Sequence, residues 1–215
     1  DIACLIGTSG CGKTTSLKML NKLVIPSSGE IKINNIAHSA LNELQLRRSI
    51  GYVIQKSGLF PHLTTFENIS LLSCILKRNK KDIDNRVKEL LEIVRLDFNE
   101  VKNKFPCELS GGQQQRVGIA RSLMEDPPVL LMDEPFGALD PITRESMHDE
   151  FYNLNQKLGK TILIVTHDLS EAFKLGDQII LMNNGHIIQA GTKEDFYSNP
   201  KSKFVEDFLH GTNHV

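Results

Sequence analysis

The sequence predicts an α/β fold with a mainly parallel sheet, because short apolar runs alternate along it with helical patterns. Each run has the length of one strand. Residues that are apolar at successive positions are typical of strands covered on both faces, as in a parallel sheet. A strand, a helix and a strand in repeated succession indicate an α/β core. The runs are Ile2–Ile6, Val129–Met132, Ile162–Val165 and Ile179–Met182.

Composition and charge narrow the function classes. The 215 residues suffice for one large domain, or for a core with an inserted subdomain. The net charge of −1 predicts no nucleic-acid partner, since such partners usually bind a basic patch. The four cysteines show no metal-ligand spacing, which favours free thiols in a reducing compartment. No apolar run approaches the roughly 18 residues of a transmembrane helix, so we expect other chains to span any membrane.

The first strand is followed by a glycine-rich loop, GTSGCGKTT, that opens a helix. This spacing fits the P-loop pattern, in which backbone N–H groups surround a phosphate and the helix N-terminus adds a positive dipole. The alternative is a glycine-rich turn that contains a lysine by chance. The loop predicts a nucleotide phosphate site at Gly7, Thr8, Ser9, Gly10, Cys11, Gly12, Lys13, Thr14 and Thr15, which the resemblance named below assigns to ATP.

Lys13 lies in the first turn of that helix, where the helix dipole disfavours a cation. The sequence offers no structural gain for this placement, so we expect a bound anion to compensate the charge. Thr14 follows it and can place its hydroxyl on Mg²⁺.

The middle of the chain predicts helices and no strand. The apolar face of one such helix contains Ile83, Val87, Leu90 and Val94. We therefore predict two domains: a discontinuous P-loop ATPase core and an inserted all-helical subdomain. The core covers 1–57 and 126–215, and the subdomain covers 58–125.

A second glycine-rich helix start, LSGGQQQR, lies in this predicted helical subdomain. Ser110 and Gln113 have the spacing of a capping box, so a well-capped helix is the simplest interpretation. Gly111 and Gly112, however, each cost roughly 1 kcal/mol of helix stability relative to alanine. A close approach of the backbone to a ligand explains them, and a phosphate suits a helix N-terminus. Two chains facing each other with twofold symmetry would place a second chain's nucleotide there.

Acidic and polar residues follow three predicted strands. Asp133 and Glu134 end VLLMDE, and ligands in open α/β sheets bind beyond the carboxyl ends of strands. Asp133 is expected to reach Mg²⁺ and Glu134 to act on the attacking water. Gln55 ends GYVIQ, and its amide could meet the metal or the water. His167 ends a further strand and could sense the γ-phosphate or hold the geometry of the water. The alternatives are a solvated acid pair and a structural histidine.

These pieces together resemble the ATP-binding subunit of ABC transporters. The resemblance covers nearly the whole chain and rests on the P-loop, Gln55, LSGGQQQR, LLMDEP, GALD and His167 in family order. It implies an ATPase that forms a head-to-tail homodimer with two ATP molecules, each between one chain's P-loop and the other's signature. The residues it assigns are catalytic Glu134, His167 and Gln55, metal-binding Thr14, Gln55 and Asp133, and, toward the partner's ATP, Ser110, Gly111, Gly112, Gln113 and Asp140.

The resemblance also implies partners and a location. Transmembrane permease subunits would receive the helical subdomain, and a substrate-binding protein would act through the permease, with this chain peripheral at the cytoplasmic face of the membrane. Three longer stretches, among them IGYVIQKSGLFPHLTTFENI, resemble the ATPases of bacterial importers of osmoprotectants such as glycine betaine, carnitine or choline. The family normally has two antiparallel strands and an adenine-stacking aromatic before the P-loop strand. These are missing here, so we expect a truncated N-terminus.

Two other function classes share these motifs. DNA-repair and chromosome-organising ATPases insert long coiled coils between P-loop and signature, and no sustained heptads occur here. A nucleotide-gated binding module would dimerise without turnover. The presence of Gln55, Glu134 and His167 favours turnover over that alternative.

Overall fold

The computed structural model describes residues 1–33, 35–55, 58–137 and 139–211, which belong to two compact units. The first unit is made of Asp1–Arg47 and Thr161–Val215, and the second is made of Arg48–Lys160. Because the second unit interrupts the first in the sequence, each unit is described separately.

The described chain contains both strands and helices. The strands are β1 (Ile2–Gly7), β2 (Lys32–Ile33), β3 (Ile36–Ala37), β4 (Ile50–Val53), β5 (Val129–Asp133), β6 (Thr161–Val165), β7 (Gln178–Asn183) and β8 (His186–Gly191). The helices are α1 (Lys13–Leu20), α2 (Glu43–Arg48), α3 (Thr65–Ile75), α4 (Lys80–Ile93), α5 (Phe98–Val101), α6 (Gly111–Ser122), α7 (Pro141–Leu158), α8 (Leu169–Leu175), α9 (Lys193–Ser198) and α10 (Lys203–Gly211).

The first unit is built on strands that lie side by side in the order β6, β1, β7 and β8. β1 pairs in parallel with β6 and β7, whereas β7 and β8 form an antiparallel hairpin. Cys4, Leu5 and Ile6 are buried at successive positions of β1, and α1 and α8 contact this strand. Burial on both faces is the reason for the continuous apolar run. The predicted α/β class with a mainly parallel sheet is confirmed.

The second unit pairs β4 in parallel with β5 and packs helices around them. Gly51 on β4 is required by this packing. A Cβ atom built on it would lie 2.4 Å from Leu130 Cδ2 and 2.6 Å from the carbonyl oxygen of Ser122, at the end of α6. The missing side chain therefore allows the C-terminus of α6 to approach the strand closely.

Helix α7 is fixed at both ends by local chemistry. Asp140 is its N-cap and Pro141 its first residue, and Gly159 ends it in the left-handed conformation at φ 61°. Met147 and Phe151 on one face of the helix are buried. The Phe151 ring lies 5.7 Å, centroid to centroid, from that of Phe136, which anchors the turn between β5 and α7.

The described residues between 58 and 125 form helices and no strand. The predicted boundary after residue 57 falls on a residue outside those described, so the domain limits stay a prediction. Among the described helices, none has the length and hydropathy that crossing a membrane requires.

Candidate functional site

In the first unit, the loop between β1 and α1 has the backbone shape of an anion cradle. Gly7, Gly10 and Gly12 have φ angles of 146°, 76° and 105°, which L side chains rarely adopt. Gly12 is also the N-cap of α1 and carries no capping side chain. Successive N–H groups in such alternating conformations line a concave, electropositive surface beside the helix N-terminus. The loop is therefore chemically suited to phosphate.

The glycines of this loop serve different purposes. A Cβ on Gly7 would lie 2.1 Å from the carbonyl oxygen of Met182 on β7, so the neighbouring strand excludes any side chain there. A Cβ on Gly10 would meet no atom within 4 Å. Gly10 is thus required only by its backbone conformation, and the space beside it is open.

The Lys13 side chain is buried and curls back over the loop. Its Nζ donates hydrogen bonds to the carbonyl oxygens of Gly7 at 2.8 Å and Thr8 at 2.9 Å. These carbonyl oxygens are neutral acceptors, so they solvate the ammonium without cancelling its charge. That a bound anion compensates the cation stays a prediction.

A hairpin turn that the sequence analysis did not single out contacts the loop. The N–H of Gly185 donates to the carbonyl oxygen of Cys11 at 3.0 Å, and the Thr8 hydroxyl donates to Asn183 Oδ1 at 3.4 Å. Asn184 and Gly185 have φ angles of 45° and 80°, as expected for a two-residue hairpin turn. The Asn-Gly pair between two apolar runs was the available signal, but it predicts a hairpin and not its contact with the loop.

His167 is exposed and lies between β6 and α8 in the same unit. The residue before it is fixed by three hydrogen bonds. The N–H of Thr166 donates to the Leu5 carbonyl at 3.1 Å, and its hydroxyl accepts from the Asp168 N–H at 3.0 Å and donates to Glu171 Oε2 at 3.2 Å. The backbone beside His167 is therefore held against β1, the strand that leads into the phosphate loop.

In the second unit, the structure brings together Gln55 and Glu134, as the prediction of a shared role requires. Asp133 is the buried last residue of β5, and Glu134 follows with a φ of 46°. The Gln55 Nε2 donates to Glu134 Oε2 at 2.8 Å. A non-glycine residue in the left-handed region is strained by about 1–3 kcal/mol, and such residues cluster at functional sites.

Tyr52 is a neighbour of Asp133 that the sequence analysis missed. It lies on β4 opposite Leu131 of β5. Burial, and secondarily the negative charge of Asp133, raise the pKa of the Tyr52 phenol to about 12. The neutral phenol thus adds no second negative charge beside Asp133.

The predicted capping box at the start of α6 is present. Ser110 Oγ accepts from the N–H of Gln113 at 3.2 Å, and Gln113 Oε1 accepts from the N–H of Ser110 at 3.0 Å. A Cβ on Gly111 would meet no atom within 4 Å, whereas one on Gly112 would lie 3.2 Å from Thr143 Cγ2. Packing within the chain therefore accounts for Gly112, and Gly111 alone needs another explanation.

The contact between Gly112 and Thr143 places the first turns of α6 and α7 side by side. Asp140 caps α7 by accepting the Thr143 N–H at 3.1 Å. Hydrogen bonds from Thr143, its side chain first and its backbone second, hold the pKa of Asp140 below its usual value. Two helix N-termini and one ionised carboxylate thus share a small surface of the second unit.

The predicted site residues divide between the two units. The first unit holds the phosphate loop from Gly7 to Thr15 and His167, and the second holds Gln55, Asp133, Glu134, the stretch Ser110–Gln113 and Asp140. Within the described residues, no group of three or more His, Cys, Asp or Glu side chains is placed to hold a metal ion. The predicted Mg²⁺ ligands include a single carboxylate, so they do not depend on such a group.

Curated proteins with transport functions resemble this chain over nearly its full length. The carnitine transport ATP-binding protein OpuCA of Listeria monocytogenes serotype 1/2a (strain 10403S) is 51% identical over 209 residues, which is 97% of this chain and 52% of that protein. The glycine betaine/carnitine/choline transport ATP-binding protein OpuCA of Bacillus subtilis (strain 168) is 50% identical over 97% of this chain and 55% of its own length. The chain thus spans about half the length of the curated relatives it matches.

Solved structures share the fold. The dimeric post-hydrolysis state of the ATP-binding cassette MJ0796, bound to ADP and Pi, superposes with a TM-score of 0.77 at 37% identity, covering 89% of this chain and 85% of that one. CbiO1 from Clostridium perfringens, part of the ABC transporter complex cbiONQ, superposes with a TM-score of 0.84 at 28% identity, covering 99% of this chain and 85% of that one.

The sequence profile of the ABC transporter family matches residues 1–137, which contain both the phosphate loop and the capped start of α6. A match over more than half of the chain agrees with the predicted resemblance. This chain therefore belongs to the ABC transporter family.

Proposed function

We propose that this chain is the ATP-hydrolysing subunit of an ABC importer. The observation that carries the proposal is the arrangement at the end of β5. There Glu134 directly follows the buried Asp133, adopts a strained left-handed backbone and receives a hydrogen bond from Gln55. The hydrogen bond from Gln55 holds the Glu134 carboxylate in one place, as a residue that orients a water molecule requires.

The phosphate loop supplies binding. The N–H groups of the loop and of the first turn of α1 face the phosphates, and the ammonium of Lys13 exchanges its two loop carbonyls for phosphate oxygens. Both kinds of partner are oxygen acceptors, so the cation need not lose hydrogen bonds when a nucleotide enters. The geometry of the loop therefore fits ATP.

Mg²⁺ fits the oxygen-bearing residues assigned to it. Thr14 offers a hydroxyl, Gln55 an amide oxygen and Asp133 a carboxylate, and Mg²⁺ is usually bound through one or two carboxylates together with phosphates and waters. The ion would neutralise charge on the phosphates during transfer. His167 would contact the γ-phosphate and Glu134 would accept a proton from the attacking water.

The two chains of a dimer would complete each site. The residues that would face the partner's ATP are Ser110, Gly111, Gly112, Gln113 and Asp140. The open space beside Gly111 would then hold part of that nucleotide. The dimeric state of MJ0796 with ADP and Pi supports dimerisation. Isologous contact around a twofold axis is the usual form of a homodimer.

The solute class follows from the relatives. Their names include carnitine, choline and glycine betaine transport, and OsmV of Salmonella typhimurium, 47% identical over 97% of this chain, is an osmoprotectant import ATP-binding protein. We therefore assign quaternary-amine osmoprotectants as the solutes. Permease subunits would carry them across the membrane, a substrate-binding protein would deliver them, and this chain would act at the cytoplasmic face.

Replacing the proposed general base tests the enzymatic part. Glu134→Gln keeps the shape of the side chain and should lower ATP turnover by about 10²- to 10⁴-fold while ATP still binds. Glu92→Gln makes the same change on the exposed face of α4 and should leave turnover unchanged. Near-normal hydrolysis by Glu134→Gln would refute its role, and a wild type without turnover would favour a nucleotide-gated module.

Mixing two inactive variants tests the shared sites. Lys13→Ala damages the phosphate loop, and Ser110→Arg blocks the start of α6. In a mixed dimer both defects fall in one composite site and the other remains intact, so part of the activity should return. If the signature serves its own chain's nucleotide, mixing restores nothing.

Transport is tested in cells. Deleting the gene should reduce uptake of labelled glycine betaine, carnitine or choline at high osmolarity, and the wild-type gene should restore it. Unchanged uptake of all three solutes in a strain without redundant importers would show that this chain serves another import system.

A further inference from the structure

Arg116, the last residue of LSGGQQQR, connects three helices of the second unit. Its Nη1 donates to the carbonyl oxygen of Val94, at the C-terminus of α4, at 3.1 Å. Its Nη2 forms an ion pair with Glu150 Oε2 of α7 at 2.7 Å. One guanidinium on α6 therefore contacts α4 and α7 together, and its cation also suits the negative end of the α4 dipole.

This pair is more protected than an ordinary surface ion pair. The Arg116 and Glu150 side chains are 19% and 20% exposed. A small cavity of about 30 Å³ lies beside them, lined by apolar residues that include Ile119 of α6 and Met147 of α7. Apolar surroundings exclude water and strengthen a charge-assisted hydrogen bond, so the pair restrains α6 relative to α7.

The second point of contact between these helices is at their N-termini, where Gly112 meets Thr143. Together with the ion pair, this approach joins α6 and α7 at two places along their length. The side-by-side N-termini carry positive partial charges that repel each other. The pair between Arg116 and Glu150 opposes this repulsion, about one and a half turns after the start of α6 and two and a half turns after the start of α7.

We propose that Arg116 and Glu150 are positioning residues that hold the start of α6 and the start of α7 as one preformed surface for the partner chain's ATP. This inference rests on the proposed shared sites. Neither residue touches the nucleotide itself. They hold Ser110 and Asp140 in fixed positions before the dimer forms. Dimerisation then does not carry the entropic cost of ordering the two helices.

The experiment uses the full-length protein with Glu134→Gln as the parent, so that ATP is not consumed. Arg116→Met, Glu150→Gln and the double variant are compared by sedimentation for their ATP-dependent dimer dissociation constant. Each single variant should weaken the dimer by about 3- to 30-fold. The double variant should be no weaker than the worse single one, because both changes remove the same contact.

Arg95→Met is the matched control. Arg95 also approaches Glu150, at 3.5 Å from Oε1, but its side chain is 65% exposed and it lies outside α6 and α7. Its loss should leave the dimer constant within about twofold of the parent, as usual for an exposed pair. Binding of a fluorescent ATP analogue to the monomer, which reports only the phosphate loop, should be unchanged in every variant.

A second measurement separates positioning from folding. In the background with Glu134 intact, turnover by Glu150→Gln should fall at low protein concentration and return to the wild-type value at high concentration, where mass action restores the dimer. A loss that persists at all concentrations, additive losses in the double variant, or unchanged dimer constants would each overturn the inference. If the parent itself does not dimerise with ATP, the proposed shared sites fail first.

Discussion

The glycine at position 111 offers a test in which stability and function should change in opposite directions. Gly111 is the first residue of α6, it is exposed, and an added Cβ would meet no atom within 4 Å. Its φ lies outside the positive range, so alanine fits the backbone. Gly111→Ala should therefore keep or raise the free energy of unfolding, by up to about 1 kcal/mol.

Function should fall despite this gain. If Gly111 faces the partner's ATP, the added methyl group enters a closely packed contact, and overpacking of this kind costs about 1–3 kcal/mol. That corresponds to an ATP-dependent dimer about 5- to 150-fold weaker. The assays are denaturant unfolding of the monomer and sedimentation of the dimer in the Glu134→Gln background. A stable protein whose dimer is unchanged would refute the reasoning, because the open space would then face solvent.

Gly112 supplies the matched control for this prediction. Gly112→Ala brings its Cβ to 3.2 Å from Thr143 Cγ2, so it should destabilise the monomer as well as the dimer. Adding Thr143→Ser removes that methyl group and should restore the free energy of unfolding. The dimer should recover together with the stability, because the methyl group at position 112 points toward Thr143 of the same chain and not into the open space beside Gly111.

Three further outcomes are expected from the geometry. Gly7→Ala should lower the free energy of unfolding by about 2–4 kcal/mol, because its Cβ would lie 2.1 Å from the Met182 carbonyl oxygen at a φ of 146°. Gly10→Ala, at a φ of 76° with open space around it, should lower the free energy of unfolding by only about 1–2 kcal/mol. Equal losses for the two variants in denaturant titrations would contradict this difference. The pKa of Tyr52 is about 12 in the folded protein and about 10 in the unfolded chain, so the unfolded state loses its proton first and stability should fall as the pH rises between these values. Tyr52→Phe should make that fall shallower, and an identical pH dependence would show that the phenol does not contribute.

Features that depend on residues close in sequence were predicted correctly. The capping box of Ser110 and Gln113 joins atoms within three residues of one another. The four apolar runs were recognised as strands because a strand buried on both faces needs apolar residues at consecutive positions. Motif order then sufficed to identify the family.

Lys13 shows where local rules fail. The helix dipole disfavours its charge, and the sequence contains no acidic partner nearby. The partners are the carbonyl oxygens of Gly7 and Thr8, which become available only when the loop curls. Backbone acceptors are present at every residue, so composition cannot reveal which of them will face a side chain.

The sequence by itself determined the fold class, the family and the identity of the residues in each motif, because these depend on short-range pattern and spacing. Tertiary structure alone decided which distant groups meet: the Met182 carbonyl over Gly7, the Gln55 amide on Glu134, and Glu150 against Arg116. The physical reason is that these contacts join residues 34 to 175 positions apart in a chain whose packing is settled by the burial of many side chains at once. No single residue in such a pair carries a signal of its partner.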